Sequence, residues 1–181
     1  MAETKLRKFT VQEKLNKMDI DLIDVSISTD DGSDTGAMAD GDCLFVVTEI
    51  PNAVAVPGGS AILQSASVIW TASADGSETG AFDVIITSDD TVLTDASSNL
   101  LPNEAVNAIT NASAVMDGIA GTFSITNAID MGVVSVGSKQ NIGMVCKAAS
   151  GTRSLYCFGI ARSTNDYEEG SAVLRLGFVK D

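Results

Sequence analysis

Alternation with a period of two constrains this chain more than any other feature. In Ser60–Ala74 the even positions Ile62, Ala66, Val68, Trp70 and Ala72 are apolar, and the odd positions Ser65, Ser67, Thr71 and Ser73 carry hydroxyls. Side chains of a strand point alternately to its two faces, so the pattern predicts a long strand with one buried face. Phe82, Val84 and Ile86 repeat it, as do Ile142, Met144, Cys146 and Ala148, and Ala172, Leu174, Leu176 and Phe178. Cys43–Ile50 is apolar throughout and reads as a strand buried on both sides. Ser154–Arg162 is apolar at both parities, with Leu155 and Cys157 against Tyr156, Phe158 and Ile160. A strand with two apolar faces is central in its sheet or covers a partner.

Turn signals separate these runs: Asp31-Gly32, Asp40-Gly41, Pro57-Gly58-Gly59, Asp75-Gly76, Asp117-Gly118 and Ser150-Gly151. Asp31–Met38 and Asp75–Phe82 are near-copies, DGSDTGAM and DGSETGAF, which the same turn chemistry used twice explains. One later helix is predicted over Asn103–Thr110, with Ala105, Val106 and Ile109 covering an open end of the sheets. Many short strands, glycine-rich turns and no long helix give an all-β chain, a β-sandwich of jelly-roll-like type.

Charge divides the chain in three. Residues 1–17 carry Lys5, Arg7, Lys8, Lys14 and Lys17 against two acids, residues 18–138 have 18 acids and no base, and residues 139–181 have six bases and four acids. The first part reads as a basic arm with a short helix, and residues 18–181 as the sandwich domain. Thr10 and Glu13 have capping-box spacing, and Val11, Leu15 and Met18 form one apolar stripe. Such a short helix is unstable alone. Its stripe must dock, either on its own domain or on an acidic patch of a neighbouring subunit.

The same arithmetic excludes much chemistry. There are 24 acidic and 11 basic residues, a net charge of −13, and no histidine. That removes Ser–His–Asp and Cys–His catalysis, histidine-ligated zinc and a histidine pH switch. Nucleic-acid binding is disfavoured, because phosphates need clustered Lys and Arg. Phosphate-cradling and nucleophile-elbow motifs are missing. The loop acids Asp30, Asp31, Asp34, Asp40, Asp42, Asp89 and Asp90 lack calcium-loop spacing and read as a solvated rim. Acids are so abundant that a glycosidase-like pair carries no information by itself. No metal, cofactor or catalytic residue is expected. Cys43, Cys146 and Cys157 read as buried small hydrophobes. Cys146 and Cys157 fall on two arms of a predicted hairpin, and whether they pair stays open. The N-terminus lacks the apolar core of a secretory signal, and the uncharged window Ile50–Ala74 is broken by prolines and glycines. Synthesis in a cytoplasm with no membrane span is therefore expected.

Two stretches carry a resemblance. NIGMVCKAASGTRSLYCFGIARSTNDY from Asn141, followed by SAVLRLGFV at Ser171–Val179, resembles small β-sandwich structural proteins of tailed bacteriophages that decorate or cement the capsid exterior. DGDCLFVVTEIPNAVAVPGGSAILQSASV, from Asp40 to Val68, is similar to the first strands of the same family. The resemblance implies a non-enzymatic virion protein, made in the host bacterial cytoplasm and bound to the major capsid protein as a homo-oligomer, a trimer by analogy. Lys5, Arg7, Lys8, Lys14 and Lys17 then become capsid-binding candidates, and Tyr156, Phe158 and Ile160 subunit-contact candidates. A tail, neck or host-attachment module of the virion is the alternative. A sugar-binding module would want exposed aromatics, yet alternation places Trp70 and Phe82 in the core.

Overall fold

The computed structural model describes residues 20–29, 38–71, 80–94, 99–126, 128–131, 134–163 and 171–180. The predicted arm and its helix, and most of the two near-identical turns, lie outside the described residues. Nine strands are present among them: β1 (Ile20–Ser28), β2 (Cys43–Ile50), β3 (Ser60–Thr71), β4 (Phe82–Thr87), β5 (Ile119–Ile125), β6 (Ala128–Asp130), β7 (Val134–Lys147), β8 (Leu155–Ala161) and β9 (Ser171–Lys180). They form a five-stranded sheet in the order β1-β9-β3-β7-β6 and a four-stranded sheet in the order β2-β8-β4-β5.

Pairing explains the order. Apart from the three-residue β6, the first strand pairs with the last (β1 with β9), the second with the second-last (β2 with β8), then β3 with β7 and β4 with β5, all antiparallel. The chain is one long antiparallel hairpin rolled up, so that β9 also meets β3 and β8 also meets β4. That connectivity is a jelly roll, as the alternation and turn spacing predict.

The core lies between the sheets. Ala172, Leu174, Leu176 and Phe178 of β9 face Phe45, Phe82, Val84, Ile86, Leu155 and Cys157 of the other sheet in one buried cluster. Trp70 of β3 meets Phe82 of β4 edge to face, with ring centroids 5.9 Å apart, and bridges the two layers. Among the described residues no helix is long and apolar enough to cross a membrane.

Two expectations need correction. Alternation expects Ile62 on the buried face with Trp70, but Ala61 and Leu63 are buried and Ile62 points outward. The reason is a bulge: Leu63 pairs with Phe178 and Ser65 with the adjacent Gly177, which leaves Gln64 as an extra residue. One unpaired residue reverses the parity of the strand. The predicted helix over Asn103–Thr110 is a single 3-10 turn at Val106–Ala108, and the helix α1 lies beyond it at Ala112–Gly118. Asn103 has a φ of 64°, outside the right-handed helical region. The segment's backbone is instead bonded to β2 and its leading turn: Asn103 N–H donates to Cys43 O, Cys43 N–H to Glu104 O, and Val106 N–H to Gly41 O. Those groups cannot also serve a helix.

Candidate functional site

The described residues hold no group of three or more Cys, Asp or Glu arranged for a metal ion. Several acids have local structural tasks. Asp42 accepts from Ala39 N–H at 2.7 Å, and Asp89 accepts from Thr91 N–H at 2.9 Å. Asp83 accepts from the Ser124 hydroxyl and pairs with Arg162 at 2.7 Å. Arg162 also lies 3.7 Å from Asp40.

The cysteines are free and buried. Cys146 and Cys157 are not on one hairpin, because β7 and β8 belong to different sheets. Burial pushes the thiols of Cys43 and Cys157 up to about 12 and that of Cys146 up to about 11. Thiolate is the reactive form, so none is nucleophilic near neutrality. Ellman's reagent at pH 8 should leave the native chain unlabelled for hours and modify three thiols after unfolding. Rapid labelling of a folded sample would contradict that burial.

What distinguishes the molecule is how its two outer sheet faces are treated. On the four-stranded sheet, Tyr156, Phe158 and Ile160 point outward from β8. The described parts of the connection between β4 and β5, residues 88–94 and 99–118, fold back over them. Cys43, Ile85 and Phe158 of the sheet pack with Leu93, Leu100 and Val115 of this connection in a second buried cluster, with Val106, Ile109 and Ile160 against it. Phe158 keeps 4% of its surface and Tyr156 is half-buried. Burial and the nearby Asp90, Glu49 and Asp89 carboxylates raise the Tyr156 phenol above its usual range. The second apolar face of β8 is thus met by its own chain, at least at Phe158.

The five-stranded sheet has no such cover among the described residues. Its register aligns two apolar rows across the strands. In one, Ile20 of β1 faces Val179 of β9, Val179 faces Ile62 of β3, and Ile62 faces Val145 of β7. In the other, Val173 of β9 faces Ile69 of β3, Ile69 faces Val136 of β7, and Val136 faces Ile129 of β6. Ile20, Val145 and Ile129, towards the ends of the rows, are 57%, 66% and 71% exposed, Ile62, Ile69, Val136 and Val173 are half-buried, and Val179 between its neighbours is buried. Leu22, also exposed, stands beside Gly177, where a Cβ would collide with the Ser65 hydroxyl. Between the rows runs a polar belt of Ser65, Ser67, Ser138 and Gln140. There Arg175 grips Asp24 through two hydrogen bonds of 2.7 and 2.9 Å. The Arg175 hydrogen bonds hold the Asp24 carboxyl below its usual range. Lys180 pairs with Asp21 at 2.6 Å on the same sheet.

Sequence reasoning missed this face. The signal was present in Ile69, Val145, Val173 and Val179, apolar residues at positions where alternation wants polar ones. Lys5, Arg7, Lys8, Lys14 and Lys17 lie outside the described residues.

Fold and surface together define a jelly-roll protein with one self-covered sheet and one bare sheet, and no reactive centre among the described residues. The sequence matches no protein-family profile and no curated protein. Three similar solved structures are of viruses. Israeli acute paralysis virus, heated to 63 degrees, gives 11% identity over 99% of this chain and 81% of that one, with a TM-score of 0.33. Desmodium yellow mottle tymovirus gives 11% identity over 99% and 94%, with a TM-score of 0.25. A marine algae virus of the order Picornavirales gives 10% identity over 99% and 79%, with a TM-score of 0.26. The jelly-roll assignment rests on strand order and pairing, and no residue here takes a role from these matches.

Proposed function

We propose that this chain is a non-enzymatic structural protein of a tailed-bacteriophage virion, which binds the major capsid protein and decorates or cements the shell from outside. The observation that carries the reading is the bare apolar face on a rigid sandwich without a catalytic centre among the described residues. Such a molecule is built for contact rather than turnover. Contacts of this kind, repeated over a symmetric lattice, reach high occupancy through avidity although each is weak. The basic arm supplies the contact with the shell, and the apolar face serves the contact between copies. Lys5, Arg7, Lys8, Lys14 and Lys17 lie on an acidic capsid surface, and the acidic body keeps particles apart.

A quantitative protein gel of purified virions tests the placement. Hundreds of copies per particle are expected; a dozen or fewer assign the protein to the tail or neck. Deleting residues 1–17 should lower occupancy on purified capsids, most at low salt, where exposed charges are least screened. Unchanged occupancy removes the arm from the contact.

A further inference from the structure

We infer that the outer face of the five-stranded sheet is a self-association surface, on which a second copy of this chain packs face to face about a two-fold axis. The inference concerns the isolated protein and stands without the virion reading.

Three observations select the occupant. The first is size. Five strands about 4.8 Å apart, from three to fourteen residues long and averaging ~33 Å, present ~600 Å². Two such faces bury ~1,200 Å², the lower end of what specific protein interfaces bury. One alternative cover from this chain is its N-terminal stripe, expected from the sequence as a short helix. A helix of eight or so residues is ~12 Å long and ~10 Å wide. The two rows lie six residues apart along β9, from Val173 to Val179, or ~20 Å. Such a helix covers one row and leaves the other in water.

The second is self-complementarity. Apolar rows flank a polar belt of serines, Gln140 and the Asp24–Arg175 pair. A two-fold rotation about an axis in the plane of the face, along the belt, lays each row on its opposite number and belt on belt. The charges of the belt are already paired within each copy, so little charge is left to desolvate unpaired.

The third is charge. The chain carries −13, and self-association works against that repulsion wherever acids dominate. By register the outer face of the bare sheet carries Arg175 and Lys147 against Asp24, while Asp21, Lys180, Lys139 and Asp130 fall at inner-facing positions. The strands of the covered sheet hold two acids, residues 88–118 hold five more, and neither contains a base. The bare sheet is therefore the face on which two copies approach with least repulsion. Dimerisation there leaves two basic arms on one particle.

Sedimentation equilibrium of the full chain should give about twice 18.7 kDa at tens of micromolar. The mass should hold from about 50 to about 500 mM salt, because apolar rows rather than unlike charges make the contact. The double variant Val145→Glu, Ile129→Glu changes one exposed residue in each row. It should keep the native melting temperature and weaken the dimer about 100-fold. Leu101→Glu, exposed on the connection that covers the other sheet, should leave the dimer unchanged. A monomeric or trimeric wild type overturns the inference. So does a dimer that survives the double variant, or one that dissolves in salt. A chain that dimerises only after removal of residues 1–17 overturns it as well, since its own arm then holds the face.

Discussion

Replacing Gly159 by valine should lower the melting temperature by about 6–16 °C. Gly159 lies mid-strand in β8, between Phe45 of β2 and Val84 of β4. A glycine there sacrifices packing and backbone entropy unless something fills its place. Here the Phe45 ring fills it: a Cβ on Gly159 would overlap that ring, with Phe45 Cζ 3.1 Å away. Phe45 is fully buried, so its ring can yield only by displacing packed neighbours. Overpacking a dense core costs ~1–3 kcal/mol, and displacing a buried phenylalanine forfeits a further share of its burial. A loss of ~3–4 kcal/mol at ~2–4 °C per kcal/mol gives that range for a domain of this size. A melting temperature within about 2 °C of wild type would mean that the ring does not sit on the glycine. Gly151→Val is a useful contrast, because no atom lies within 4 Å of its Cβ position, although its φ of 89° strains any side chain.

The alternation in β9 and the double apolar face of β8 were legible because each reports on a strand's own neighbours. Ala172, Leu174, Leu176 and Phe178 are all buried, and Cys157 and Phe158 are buried on opposite faces of one strand. What failed depends on a backbone event or a distant partner. Gln64 looks like any polar strand residue, and its bulge exists only against distant partners, Gly177 of β9 on one side and Gln140 and Met144 of β7 on the other. Asn103–Thr110 has helical spacing, yet its backbone is committed to Cys43 and Gly41 on another strand. The bare face was hidden for a related reason. Ile20, Ile62 and Val145 are scattered through the sequence, and only the register of β1, β9, β3 and β7 aligns them. A single apolar residue facing out is ordinary in any protein, whereas a row of four across adjacent strands is a surface.

Phe82→Ala should cost the most of any single truncation, about 4–6 kcal/mol. Removing a fully buried phenylalanine costs ~3–5 kcal/mol, and the lost edge-to-face contact with Trp70 adds ~0.5–1.5 kcal/mol. Whole domains are stable by only ~5–15 kcal/mol, so the variant is left close to its unfolding threshold. Trp70 is the only tryptophan, so its emission reports on this contact alone. It should shift to longer wavelength as water reaches the gap, and urea should unfold the variant at a markedly lower concentration with an unchanged slope. The consequence reaches the outer surface. Ile69 and Trp70 are consecutive residues of β3 with side chains on opposite faces, so an indole that loses its inner support loosens the strand that holds Ile69 between Val173 and Val136. Self-association of the folded fraction should therefore weaken in Phe82→Ala, although Phe82 is fully buried in the opposite sheet. Unchanged self-association beside a shifted Trp70 emission would mean that the bare face keeps its shape independently of the core beneath it.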